Sequence, residues 1–381
     1  MSPTGIVNGN PIYGGRNVSR EQESVENADA RWNATLATLV GRVDLTADDT
    51  EWVMHRVMRG EAEDVRLAAF LAALRTKGET VAEIEGLIRA VRAHAVPLHI
   101  PGRAVDIVGT GGDRAGTVNI STVSAIIAAA AGARIVKHGN RSSSSACGSA
   151  DLLEELGVFV DLPPRTAPAI LEEIGLVFCF APLFHSAMRH ASAVRRKLGV
   201  PTAFNLLGPL TNPALPAAAA VGVADERVAP LIAGVLADRG ASALVFRGDD
   251  GLDELTVTTT SRIWNVREGA VDTETFDPRE VGIALAGPDA LRGGAAPENA
   301  AIAREVLAGR RGPVRDAVLL SAAAGMAALE PTSASATERI GAKLTLAARA
   351  VDSGAAEALL ERWTRLTSKL AAEHGVSTVR R

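Results

Sequence analysis

The chain has 381 residues, 47% of them hydrophobic and only 3% aromatic, and a formal net charge of −4. This length suffices for one large domain or for two, with cores built mainly from Ala, Val, Leu and Ile. The absence of any long Lys/Arg run excludes the broad basic footprint of a nucleic-acid binder, and no apolar run is long enough to span a membrane.

Residues 1–31 are polar and contain no signal-peptide-like apolar stretch, so a mobile tail is expected there. Cys147 and Cys179 make neither a metal-ligand spacing nor a disulfide framework, and the expected location is the cytoplasm. Residues 32–100 predict a small helical domain. Its clearest segment is TVAEIEGLIRAVRAH, where Thr80 and Glu83 fit a capping box and Val81, Ile84, Leu87, Ile88 and Val91 recur on one face. Gly78 suits the end of the preceding helix, RLAAFLAALRTK.

From residue 101 to about 370 the pattern changes to α/β. Strands are expected at AVDIV (104–108), ARIVK (133–137), VFVDL (158–162), LVFCF (176–180) and SALVF (242–246), with helices between them. This alternation predicts an α/β fold with a largely parallel central sheet. Residues 187–225 read as a helix followed by a Pro-rich stretch that crosses to the helical domain, and the chain is helical again from about 315.

Four stretches carry chemistry. In DIVGTGGDRAGTVNIST, glycines lie between a strand and a helix. There a bare backbone lets a ligand reach N–H groups, and the helix start favours an anion. The spacing is neither G-x-G-x-x-G nor a P-loop. KHGNRSSSSACGSAD repeats the design after the next strand, with Lys137, Gly139, Asn140 and a serine run. RGDDGLDEL supplies Asp253 and Glu254, hard oxygen ligands suited to Mg²⁺ beside phosphates. FAPLFHSAMRHASAVRRKLG carries arginines able to fork a carboxylate.

Together these stretches, with TVNIST, GSADLLEELG and PTAFNLLGPLTNP in the same order, resemble the anthranilate phosphoribosyltransferases over about residues 35–365. Those enzymes join anthranilate to phosphoribosyl pyrophosphate (PRPP) in tryptophan biosynthesis. The resemblance implies a nucleoside phosphorylase/phosphoribosyltransferase-type fold: a small helical domain, a larger α/β domain and an active-site cleft between them. It also implies a homodimer and Mg²⁺. It assigns PRPP to Gly109, Thr110, Gly111, Gly112, Asp113, Thr117, Asn119, Ser121, Thr122, Lys137 and Ser145. It assigns anthranilate to Gly109, His138, Asn140, His185, Met188 and Arg195, and the metal to Ser121, Asp253 and Glu254.

No general base is assigned, because a neutral aromatic amine already carries its lone pair. Three positions depart from the family pattern: Arg247 replaces a common histidine, Ser186 a proline, and Cys147 a small residue before Gly148. They bear on acceptor preference rather than on reaction type. A pyrimidine nucleoside phosphorylase, a transferase with another aromatic amine, and a non-catalytic nucleic-acid-binding relative are the competing readings. The intact Asp253–Glu254 pair and the net charge speak against the last.

Overall fold

The computed structural model describes residues 25–142 and 146–376. Four helices open it: α1 (Val25–Val40), α2 (Ala47–Met58), α3 (Asp64–Lys77) and α4 (Val81–Ala93). Helix α1 begins inside the stretch expected to be tail. Ala28 and Trp32 are buried, and Trp32 meets Phe70 of α3 edge-on at 6.4 Å. That apolar stripe continues the helix upstream through a polar sequence. The capping box forms as expected: Thr80 Oγ1 accepts from Glu83 N–H (3.2 Å) and Glu83 Oε2 from Thr80 N–H (2.8 Å). Glu83 is also a tie across the bundle, since Oε1 accepts from Leu45 N–H and Oε2 from Lys77, both at 2.9 Å.

The larger unit runs β1 (Val105–Gly109), α5 (Ile120–Ala130), β2 (Ile135–Gly139), α6 (Ser149–Glu155), α7 (Ala167–Ile174) and β3 (Leu176–Phe180). It continues with α8 (Ala181–Phe184), α9 (Arg189–Leu198), α10 (Phe204–Leu210), β4 (Ala218–Gly222), α11 (Ala229–Asp238), β5 (Ser242–Gly248), β6 (Ser261–Arg267) and β7 (Ala270–Phe276). Helices α12 (Ala296–Leu307), α13 (Pro313–Leu329), α14 (Ala336–Asp352) and α15 (Ala355–Glu373) close it.

The seven strands lie in the order β3-β2-β1-β4-β5-β6-β7. The first five are parallel, and β6 and β7 are antiparallel. The strand order reverses between β1 and β4, which opens a crevice at their carboxyl ends where such sheets bind ligands.

Three details differ from the reading above. Residues 158–162 form no strand: Val158, Val160 and Leu162 are buried, but Phe159 N–H donates to Thr367 Oγ1 of α15 (3.3 Å) rather than to a sheet edge. Strand β4 lies within the expected crossing segment, because a run of alanines has weak strand propensity and gains its place from burial between β1 and β5. The β6–β7 hairpin was also not anticipated. It turns through Glu268 and Gly269, both at positive φ, as a two-residue hairpin requires.

The sheet divides its residues between two cores. Ala218, Ala220, Leu244 and Phe246 face the C-terminal helices, whereas Ala219, Val221, Ala243 and Val245 face α11 and the bundle. Helix α9 packs on α2 and α3, and α10 packs on α4.

Candidate active site

The glycine loop leaves β1 at its carboxyl end. Gly111, Gly112, Arg114 and Gly116 all have positive φ, so the loop coils in the left-handed region before α5 begins. Thr110 N–H donates to Gly222 O (2.9 Å), and Thr110 Oγ1 accepts from Ala224 N–H (3.2 Å), which ties the loop to the end of β4. The acidic loop after β5 folds back over both strand ends. A Cβ at Gly109 would collide with Asp253 Oδ2, and one at Gly222 would overlap the Asp253 carbonyl. Two bare strand ends therefore let the acidic loop close on the crevice. Gly111 N–H then donates to Asp253 Oδ2 (2.6 Å).

Asp253 and Glu254 sit where their charges are expensive. Burial, then the neighbouring Asp113 carboxylate, pushes Asp253 up to about 7. Burial, then Asp253, pushes Glu254 well above the usual carboxylate range, and Ser321 Oγ on α13 donates to it at 3.4 Å. Asp113 accepts from Ala115 N–H through Oδ1, while its buried Oδ2 has no partner. Such crowded carboxylates fit a divalent cation, which would neutralise them and leave positions open for phosphate and water. Arg247, at the base of this loop, donates to Ala224 O (2.9 Å) and Gly248 O (3.2 Å) and props the loop rather than pointing away.

Lys137 lies below the crevice, 3% exposed, and donates to Ile107 O (2.6 Å) and Ser121 Oγ (3.1 Å). Burial lowers its pKa, while Asp106, Glu254 and Asp253 oppose the shift. Asp106, a buried residue of β1, accepts from His138 N–H (3.2 Å) and Asn212 Nδ2 (2.8 Å). Asn212 also donates to Val136 O (2.8 Å). Asp106 and Asn212 were not singled out from sequence. A polar residue inside the apolar run AVDIV is the one signal that could have flagged the first.

His138 Nδ1 lies 2.8 Å from Gly208 O. A carbonyl only accepts, so the proton is on Nδ1 and Nε2 keeps its lone pair. The His185 ring stands 5.1 Å away, edge-on. Nε2 of His138 is buried without a partner, and His185, also buried, has the Thr211 backbone as the one polar group acting on its ring. Burial, with His185 nearby, pushes His138 down to about 3, and burial holds His185 at about 4. Each ring is therefore neutral in the fold but titrates near 6.5 when unfolded. Stability falls as pH drops from 6.5 towards 4, by about 1.4 kcal/mol per pH unit per ring. In urea unfolding at pH 7 and pH 5, His185→Asn is expected to show a shallower loss than the parent. Equal losses would place the titration elsewhere.

Arg195 on α9 is half-buried, lies 4.9 Å over the Phe204 ring and pairs with no carboxylate among the described residues. Burial lowers its pKa. Met188 is half-buried at the start of α9 beside exposed Ser186, and Asn140 is exposed after β2 with Oδ1 accepting from Arg141 N–H (2.7 Å). Thr117 bridges to Arg292, and Thr122 is 2% exposed, its hydroxyl withdrawn from the surface. Asn119 stands at the N-cap position of α5 but makes no side-chain cap bond to the helix, its amide donating instead to Cys147 O (3.0 Å). Ser145 lies outside the described residues.

Residues 101–357 match the glycosyl transferase family a/b domain, and residues 34–95 match that family's helical bundle domain. A relative from Streptomyces griseus subsp. griseus, an anthranilate phosphoribosyltransferase, is 57% identical over 332 residues, covering 87% of this chain and 94% of its own. One from Thermobifida fusca with the same name is 55% identical over 336 residues, covering 88% and 97%. Among solved structures, anthranilate phosphoribosyltransferase from Thermus thermophilus superposes with a TM-score of 0.82 at 42% identity, covering 88% of this chain and 99% of its own. The Saccharomyces cerevisiae enzyme in complex with PRPP and Mg does so with 0.81 at 27%, covering 90% and 99%. The chain belongs to the glycosyl transferase family and, within it, to the anthranilate phosphoribosyltransferases.

Proposed function

We propose that this cleft transfers the 5-phosphoribosyl group of PRPP to the amine of anthranilate, with Mg²⁺, and releases pyrophosphate. The observation that carries the reading is the meeting of the glycine loop and the Asp253–Glu254 loop at the β1/β4 crevice, through Gly111 N–H and Asp253 Oδ2. The yeast relative solved with PRPP and Mg supports the cosubstrate and metal, and its complex with 4-fluoroanthranilate supports the acceptor class.

The residues divide the work by chemistry. Gly109–Asp113, Thr117, Asn119 and Ser121 offer N–H and hydroxyl groups to the phosphates at the start of α5, with Thr122 packed behind them, and Lys137 adds a buried positive charge. Asp253, Glu254 and Ser121 would hold Mg²⁺, which supplies neutralisation of charge on the departing pyrophosphate. Arg195 has the guanidinium, with no carboxylate paired to it among the described residues, that an anionic acceptor needs, and Asn140, Met188, His138 and His185 border the same side. With both histidines held neutral, Nε2 of His138 and the one unprotonated ring nitrogen of His185 can accept N–H hydrogen bonds from the acceptor amine. Positioning and electrostatics perform the catalysis, and the chain supplies no base before attack. We take the enzyme to be a cytoplasmic homodimer, with Val25, Val40 and Val65 exposed on the bundle as the apolar contribution. Light scattering giving a monomer mass would reject the dimer.

The test follows anthranilate fluorescence in the presence of PRPP, with and without Mg²⁺. Mg²⁺-dependent loss of signal is expected. Persistence of the signal while PRPP binds would move the acceptor away from anthranilate.

A further inference from the structure

We propose that Asn299 is a positioning residue: it sets the orientation of the Asn119 amide and thereby joins the start of α5 to the loop between β2 and α6. The inference rests on the reading of Asn119 as a phosphate contact. Asn299 lies on α12, far from the glycine loop in sequence, and is 3% exposed. Its Oδ1 accepts from Gly294 N–H at 2.8 Å. A backbone N–H can only donate, so this contact fixes which end of the Asn299 amide is oxygen. Its Nδ2 then donates to Asn119 Oδ1 (2.9 Å), which in turn leaves Asn119 Nδ2 to donate to Cys147 O (3.0 Å). The sense of hydrogen bonding is thus dictated from Gly294 to Cys147 through two side-chain amides.

The surrounding backbone holds this chain in place. Val118 N–H donates to Leu291 O (3.0 Å) and Gly293 N–H to Gly116 O (2.8 Å), so residues 291–294 brace the outer limb of the glycine loop. A Cβ at Gly293 would lie 2.5 Å from Asn299 Oδ1, which requires a bare backbone there.

The consequence for function is one of polarity. With its oxygen engaged by Asn299, Asn119 presents its amide nitrogen, not its oxygen, on the side of Cys147 and of the anionic ligand. Without Asn299 the Asn119 amide is free to turn over and present its carbonyl oxygen, which repels a phosphate. Asn299 therefore acts on PRPP through Asn119 without touching it.

Two variants separate positioning from mere support. Asn299→Asp is nearly isosteric and keeps the acceptor for Gly294 N–H, but sets oxygen against Asn119 Oδ1. Asn299→Ala removes both contacts and leaves a cavity. The expected result is that Asn299→Asp raises the KM for PRPP roughly tenfold, the size of one hydrogen bond to a charged group. The KM for anthranilate and the kcat at saturating PRPP should change little. Asn299→Ala should lose more thermal stability than Asn299→Asp but raise the KM for PRPP no further. Damage that follows stability in both variants, or an unchanged KM for PRPP in Asn299→Asp, would overturn the proposal. Hydrogen exchange on the ligand-free protein provides a readout independent of the reaction. Amides of residues 146–148 should exchange faster in Asn299→Asp, and unchanged exchange would sever the link even if parent turnover failed and took the functional reading with it.

Discussion

Replacing Asp253 with Asn and Glu254 with Gln together is expected to abolish turnover, a loss of at least about a thousand-fold. The double substitution keeps the volume of both side chains and the oxygen that accepts from Gly111 N–H. It removes the two negative charges and turns one acceptor oxygen of each side chain into an N–H donor. Those charges are uphill in the ligand-free fold, since burial and mutual repulsion hold both carboxyls above their ordinary range. The variant should therefore melt no lower than the parent in the absence of Mg²⁺. It should also lose the upward shift in melting temperature that Mg²⁺ with PRPP gives the parent. Activity is read by anthranilate fluorescence and stability by calorimetry. Near-normal turnover would remove the metal assignment, whereas a collapse in stability would reassign the pair to architecture.

Arg195→Ala carries the second large effect. A guanidinium half-withdrawn from water with no carboxylate beside it is a standing cost, and an anionic ligand offsets it. Removing it should weaken anthranilate by about 2–5 kcal/mol, or roughly thirty-fold and more in KM. PRPP should be much less affected. Arg195→Lys is expected to restore little, because an ammonium supplies charge without the planar fork and stacks poorly on Phe204. Equal losses for both substrates would make Arg195 a packing residue between α9 and Phe204.

What could be read from sequence was local. The glycine loop announced itself because strand, glycines and helix start are contiguous, and the Thr80–Glu83 box needs only three residues of spacing. Asp253 was legible as a hard ligand, but not as the residue that closes over Gly109 and Gly222, since that contact joins three strand ends. Asp106, Asn212 and Asn299 were silent for the same reason: each is a polar residue whose partner lies dozens to hundreds of positions away. Strand β4 was missed because alanine carries little local preference for a strand, and 158–162 was overread because alternate burial occurs without a ladder.

The bundle and one face of the sheet share a single apolar interior, in which Trp32, Phe70 and Leu87 belong to the same cluster as Val221, Val245 and Trp264. The break between the two family matches, near residue 100, is thus a seam in the sequence and not in the cohesion of the molecule. A calorimeter should record one endotherm rather than two. Exchanging bundles between distant relatives would succeed only when the face of β4, β5 and α11 is exchanged with them, so the unit of inheritance that recombination can move is larger than the helical segment itself.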